Sequence, residues 1–149
     1  VSLGNPHCVV PCQRVDGVNV AKVGPLFEHA EIFPKRINTE FIRIVNPNTI
    51  KMRVWERGSG ETMACGSGAC AAVAAAIALG ECAMGTDVTV KAAGGDLIVN
   101  CTVDDVTLTG ETRLVYEDVM ELLGGLIFLK ASSGRPQTIR GWGCPSFGR

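Results

Sequence analysis

Glu56-Arg57-Gly58-Ser59-Gly60-Glu61-Thr62-Met63-Ala64-Cys65-Gly66-Ser67-Gly68-Ala69-Cys70-Ala71 is the stretch of this 149-residue chain that decides its fold. A glycine-rich lead-in ends at Cys65. An apolar, alanine-rich run then extends from Ala69 to Leu79. Such a run reads as a helix buried on all sides, with Gly66 and Ser67 in its first turn. The first N–H groups of a helix have no partner within it, and the helix dipole places partial positive charge there. A thiol at that end is expected to ionise more easily, and a carboxylate can dock on the free N–H groups.

The segments around this helix read as strands. Asn38, Glu40, Ile42 and Ile44 alternate with Ile37, Thr39, Phe41, Arg43 and Val45 over 37–45. Asn46-Pro47-Asn48 is a turn, and Thr49 to Trp55 completes a hairpin. Asp87–Ala92, Asp96–Thr102 and Val106–Thr109 are further strands, separated by Gly94-Gly95 and Asp104-Asp105. Leu114–Tyr116 is a last candidate strand. Near the start, Gly4-Asn5-Pro6-His7 interrupts a strand with a tight turn. Val20 to Ala30 has helical spacing, with Asn19 as its cap and Pro25 inside it. The order predicts an α+β domain with largely antiparallel pairing rather than an alternating βαβ chain.

Hydrophobic residues make up 46% of the chain and the formal net charge is −1. That balance opposes disorder and gives no basic footprint for nucleic acid. No apolar run is long enough for a transmembrane helix, so no membrane partner is expected. Seven cysteines at irregular spacing, with two histidines and no Cys-x-x-Cys, make a metal site unexpected. With no secretory signal, the thiols read as reduced and the chain as cytoplasmic. The opening Val1-Ser2-Leu3-Gly4 looks like the middle of a fold, which suggests an excised domain or fragment. Residues 122–149 turn rich in Gly, Ser, Pro and Arg, and read as a weakly structured tail behind a domain of residues 1–121.

Three motifs in order resemble the C-terminal half of diaminopimelate epimerase: Gly4-Asn5-Pro6-His7, Arg36-Ile37-Asn38-Thr39-Glu40-Phe41, and the Glu56–Ala69 stretch. The resemblance spans about Val1 to Glu121. It implies a curved antiparallel sheet or barrel wrapped around a central helix. It also implies interconversion of LL- and meso-diaminopimelate in lysine biosynthesis, without pyridoxal phosphate or any other cofactor. Two cysteines, one from each of two similar domains, would serve as acid and base. By this resemblance Cys65 is one of them, and Asn5, Asn38, Glu56, Arg57, Gly66 and Ser67 hold substrate. His7 and Glu56 fall on positions that adjust thiol ionisation. The N-terminal domain with its own cysteine is absent, so this chain alone is expected to be inactive. Its exposed half-cleft makes that domain, or a second copy in a homodimer, the expected partner.

The chemistry suits these residue types. Removing an amino-acid α-hydrogen with inversion needs a base on one face and a proton donor on the other. A thiol near its reference pKa of ~8.5 serves either role. Arg57 can pair with a carboxylate and Glu56 with an ammonium. Plainer readings stand beside these. A free cysteine is most often a small buried hydrophobe, the natural reading of Cys70 and Cys101. His7, Asn5 and Asn38 are ordinary turn or strand-edge residues, and Glu56-Arg57 an ordinary surface ion pair. Two further classes are a proline racemase-like isomerase and a non-catalytic domain that keeps a ligand groove. Gly66-Ser67-Gly68-Ala69-Cys70-Ala71 also outlines a dinucleotide fingerprint, but the strand before it ends near Trp55, too early for that motif.

Overall fold

The computed structural model describes residues 1–112 together with the strand segments 118–122, 125–129 and 137–142. Strand β1 (His7–Pro11) is followed by a short 3-10 turn at Val15–Gly17 and helix α1 (Val20–Glu28). Strands β2 (Asn38–Asn46), β3 (Thr49–Glu56) and β4 (Gly60–Thr62) lead to helix α2 (Gly66–Ala78). Strands β5 (Asp87–Ala92), β6 (Gly95–Cys101), β7 (Val106–Gly110), β8 (Asp118–Leu122), β9 (Gly125–Leu129) and β10 (Gln137–Trp142) complete the order. The candidate strand at Leu114–Tyr116 lies outside the described residues.

One sheet runs β1-β2-β3-β5-β6-β7-β10, with β4 paired to β3. β8 and β9 form a separate hairpin. The expected antiparallel sheet is corrected here. β1 pairs with β2 in parallel, His7 opposite Asn38, and β3 pairs with β5 in parallel, Ile50 opposite Val90. The sheet is therefore mixed. Parallel neighbours need a crossover of a dozen or more residues, and each pair here has a helix in its connection: α1 between β1 and β2, α2 between β3 and β5. The turn signals at 46–48, 94–95 and 104–105 do mark antiparallel pairings, β2–β3, β5–β6 and β6–β7. They carry no trace of the long crossovers. Among the described residues β1 and β10 end the strand order, so the sheet is not closed into a barrel.

Helix α2 packs against β1, β2, β3, β5, β6 and β7, so the sheet curls around it. Small side chains let it sit that deep: Ala69, Cys70, Ala71, Ala72, Val73 and Ala76 are wholly inaccessible. They meet Ile42, Ile50, Met52, Val88, Val90 and Val99 of the inner face. Cys70 and Cys101 belong to this core, as their plain reading holds. Helix α1 covers the other face, where Val20 and Phe41 are buried against Phe27 and Trp55. Asn19 caps it, its Oδ1 accepting from Lys22 N at 3.1 Å. Gly24 is where α1 meets the sheet most closely, since a Cβ there would fall 2.3 Å from the Trp55 indole.

The stretch expected to be a weakly structured tail contains β9 and β10. β10 continues the sheet beyond β7, with Ile139 opposite Leu108 and Thr138 Oγ1 2.8 Å from Thr109 Oγ1.

Candidate active site

Cys65 is the N-cap of α2. Its backbone is extended and its Sγ accepts from Gly68 N at 3.4 Å. Its carbonyl accepts from Ala69 N at 2.9 Å. Those two bonds occupy the third and fourth N–H groups of the helix. The N–H groups of Gly66 and Ser67 have no acceptor among the described residues. Glycine at 66 brings this helix end close to β7, because a Cβ there would lie 2.9 Å from Leu108.

Ser67 Oγ is 3.6 Å from Cys65 Sγ and accepts from Asn5 Nδ2 at 3.3 Å. The turn that presents Asn5 depends on Gly4, whose φ of +90° suits glycine. The next residue, Pro6, takes its carbonyl to Asn38, which donates from N at 3.2 Å and from Nδ2 at 3.4 Å. Asn38 Oδ1 in turn accepts from Arg57 N at 2.8 Å. Glu56 accepts from Thr62 Oγ1 at 2.5 Å across the β3–β4 turn. The structure thus links Asn5, Asn38, Arg57, Cys65 and Ser67 into one chain of contacts. The Arg57 guanidinium itself is turned outward, donating to the Lys35 carbonyl at 2.9 Å.

His7 and Glu40 lie behind the helix end. His7 Nδ1 and Glu40 Oε1 are 2.7 Å apart, and both side chains are fully buried. A Cβ on Gly68 would stand 2.8 Å from Glu40 Oε1 and 3.2 Å from Cys65 Sγ, so only glycine there lets carboxyl and thiol flank the helix turn. Burial pushes the Glu40 carboxyl above the usual carboxylate range, against the opposing pull of its hydrogen bond with His7.

The Cys65 thiol departs from the sequence expectation of easier ionisation. Burial pushes it up, and this outweighs the hydrogen bonds with Ser67 and Gly68 that favour the thiolate. The carboxyls of Glu56 and Glu40 push it up further. A helix N-terminus favours the thiolate, but desolvation disfavours it, and here desolvation is the larger effect. Cys70 is driven higher still, to about 12, by burial and then by its neighbours Cys101 and Cys65. Cys8 and Cys12 are only half-buried.

Two carboxylates were missed by sequence reasoning. Glu40 shares its strand face with Ile42, so a buried acid could have been read from that alternation. Glu28 ends α1, where a negative charge opposes the helix dipole. Its carboxylate accepts from Trp55 Nε1 at 2.7 Å, Gly58 N at 3.1 Å and Arg36 Nη1 at 3.3 Å. The Trp55 bond, aided by the other donors, holds its carboxyl below the usual range. Glu28 therefore ties the turn carrying Glu56 and Arg57 to α1; nothing in its local sequence announces this. Among the described residues no group of three or more His, Cys, Asp or Glu is arranged for a metal ion.

The profile of the family described as diaminopimelate epimerase matches residues 1–115. The diaminopimelate epimerase of Acetivibrio thermocellus is 47% identical over 124 residues, which is 82% of this chain and 44% of that protein. Those of Synechococcus elongatus and Methanococcus maripaludis are 46% and 44% identical, over 82% of this chain and 43% and 44% of theirs. The chain thus spans less than half the length of these relatives. Among solved structures it resembles a phenazine biosynthesis protein of the PhzF family from Enterococcus faecalis, with TM-score 0.57 and 15% identity, over 80% of this chain and 42% of that one. A PhzF-family protein from Bacillus anthracis matches with TM-score 0.55 and 19% identity, over 83% and 40%. Those likenesses concern the fold. With the profile covering most of its length and such relatives beside it, the chain belongs to the diaminopimelate epimerase family.

Proposed function

We propose that this chain supplies one half of a cofactor-independent epimerase site for diaminopimelate, acting in lysine biosynthesis in the cytoplasm. The domain of residues 1–121 corresponds to the C-terminal half of the enzyme. An N-terminal domain supplies the facing half, and residues 122–149 follow as a tail whose strand β10 extends the sheet of this half. The observation that carries this reading is Cys65 at the α2 N-cap, beside the free N–H groups of Gly66 and Ser67, in a chain of this family.

The mechanism follows from what each group can do. The substrate carboxylate docks on the Gly66 and Ser67 N–H groups, with Asn5 holding the Ser67 hydroxyl in place. A thiolate on one face removes the α-hydrogen, and the carbanion's charge spreads into that carboxylate. The helix N–H groups stabilise it as it develops. A thiol on the other face delivers a proton to the α-carbon and inverts it. Which of the two begins as base is set by the face of the α-carbon that bears the hydrogen, and burial of Cys65 in the free chain favours its thiol form. The roles exchange in the reverse direction. Glu56 and the Asn38–Arg57 arm hold the remaining ammonium and carboxylate groups, and His7 and Glu56 adjust the thiols. Cys65→Ala and Cys65→Ser test the assignment, assayed with the N-terminal half supplied. Both should abolish inversion, serine because a hydroxyl is a far poorer acid and base near neutrality. Activity retained by Cys65→Ala would refute the role.

A further inference from the structure

The His7–Glu40 pair is buried on both members, and two of its polar atoms, His7 Nε2 and Glu40 Oε2, have no partner among the described residues. Its short Nδ1···Oε1 contact fixes one shared hydrogen between ring and carboxyl. That leaves two states for the ring. With a single hydrogen on the unit, Nε2 is bare and the pair is anionic in the core. With a second hydrogen the net charge is zero, wherever the shared proton sits between Nδ1 and Oε1; the two open positions are His7 Nε2 and Glu40 Oε2, and imidazole, the stronger base of the two, takes it at Nε2. An uncompensated buried charge is heavily penalised, whereas a neutral hydrogen-bonded pair is not. The remaining groups argue the same way. The Cys65 and Cys8 thiols both feel the Glu40 carboxyl and are acids that would face added negative charge.

We propose that Glu40 is a positioning residue that makes His7 a fixed hydrogen-bond donor: the pair acts as one unit of zero net charge, with Nε2 holding a hydrogen. That this donor serves the thiol chemistry rests on the epimerase reading above; the protonation state of the pair does not. Side-chain register supports the placement. His7 stands opposite Asn38 on parallel β1 and β2, with Glu40 two residues further along the same face, the face that α2 covers. A carboxylate behind the ring fixes ring orientation as well as proton position.

The test is nitrogen and proton NMR of the whole chain with ring-labelled histidine at neutral pH, the second histidine, His29, being assigned with His29→Gln. Two hydrogens are expected on the His7 unit: a far-downfield shared proton on the Nδ1···Oε1 line, and a directly bonded proton on Nε2. Glu40→Gln should lose the downfield resonance and leave one ring hydrogen. A bare Nε2 in the unsubstituted chain would overturn the proposal, as would a downfield proton that survives Glu40→Gln. Should Glu40→Gln fail to fold, the spectrum of the unsubstituted chain decides alone. Failure of the chain to epimerise would bear on the function and leave this result intact.

Discussion

The amide of Arg57 donates to Asn38 Oδ1 at 2.8 Å, joining the end of β3 to the start of β2 at the mouth of the site. Asn38 is nearly buried, and its Nδ2 is committed to the Pro6 carbonyl. It therefore fixes two loops at once, the Asn5-bearing turn and the Glu56-Arg57 turn. Asn38→Ala should cost about 1–3 kcal/mol of stability by leaving buried polar groups unpaired. Urea unfolding checks this. A loss of only a few tenths would show that water replaces the side chain freely.

Gly68 separates the Glu40 carboxyl from the Cys65 thiol. Alanine is intrinsically favoured in a helix by about 1 kcal/mol. Here its methyl would press on Glu40 Oε1 at 2.8 Å and on Cys65 at 3.2 Å. Gly68→Ala should therefore destabilise the fold by about 1–3 kcal/mol. A raised melting temperature would mean that the buried pair yields easily.

Glu28 sets a pH dependence whose sign is fixed by its lowered folded-state pKa. Its stabilising contribution is present above the unfolded carboxyl's ordinary range and is lost as pH falls through the lower folded value. Glu28→Gln should thus lower Tm near neutrality, and the gap from the unsubstituted chain should close in acid. A gap independent of pH would mean that shape, not charge, makes Glu28 matter.

Thiol reactivity should follow burial. Burial raises all three thiols, but Cys12 and Cys8 are only half-buried while Cys65 is buried. Limiting iodoacetamide with peptide mapping should label Cys12 and Cys8 before Cys65, and Cys70 last. First labelling at Cys65 would show a more open helix end than this structure has.

Much of this arrangement was legible in the sequence, because it rests on local signals. The alanine run specified a helix buried on all sides, and the Pro47-Asn48 turn specified the β2–β3 hairpin. Asn19 marked the start of α1. Parallel pairing was not legible. β1–β2 and β3–β5 are joined across connections whose length says nothing about which strands become neighbours. β4 was hidden inside a glycine-rich loop, since three residues are too few to alternate. At the site, the motif placed Cys65 at a helix end, but the thiol's ionisation depends on how much water reaches it. That depends on β7, β2 and Glu40, which are brought there only by folding. Glu28 was invisible for the same reason: its three donors come from Arg36, Trp55 and Gly58.

The central claim is that Cys65 forms one face of a two-thiol site. Proton NMR in D₂O with diaminopimelate tests it most directly, run on the chain alone and again with the N-terminal half of a family member supplied. One thiol reaches one face of the α-carbon, and an open half-site leaves its charges in water. The account predicts no inversion by the chain alone, at most slow α-hydrogen exchange with retention, and inversion with deuterium incorporation once the second half is present. Rapid inversion by the chain alone as a monomer would contradict it.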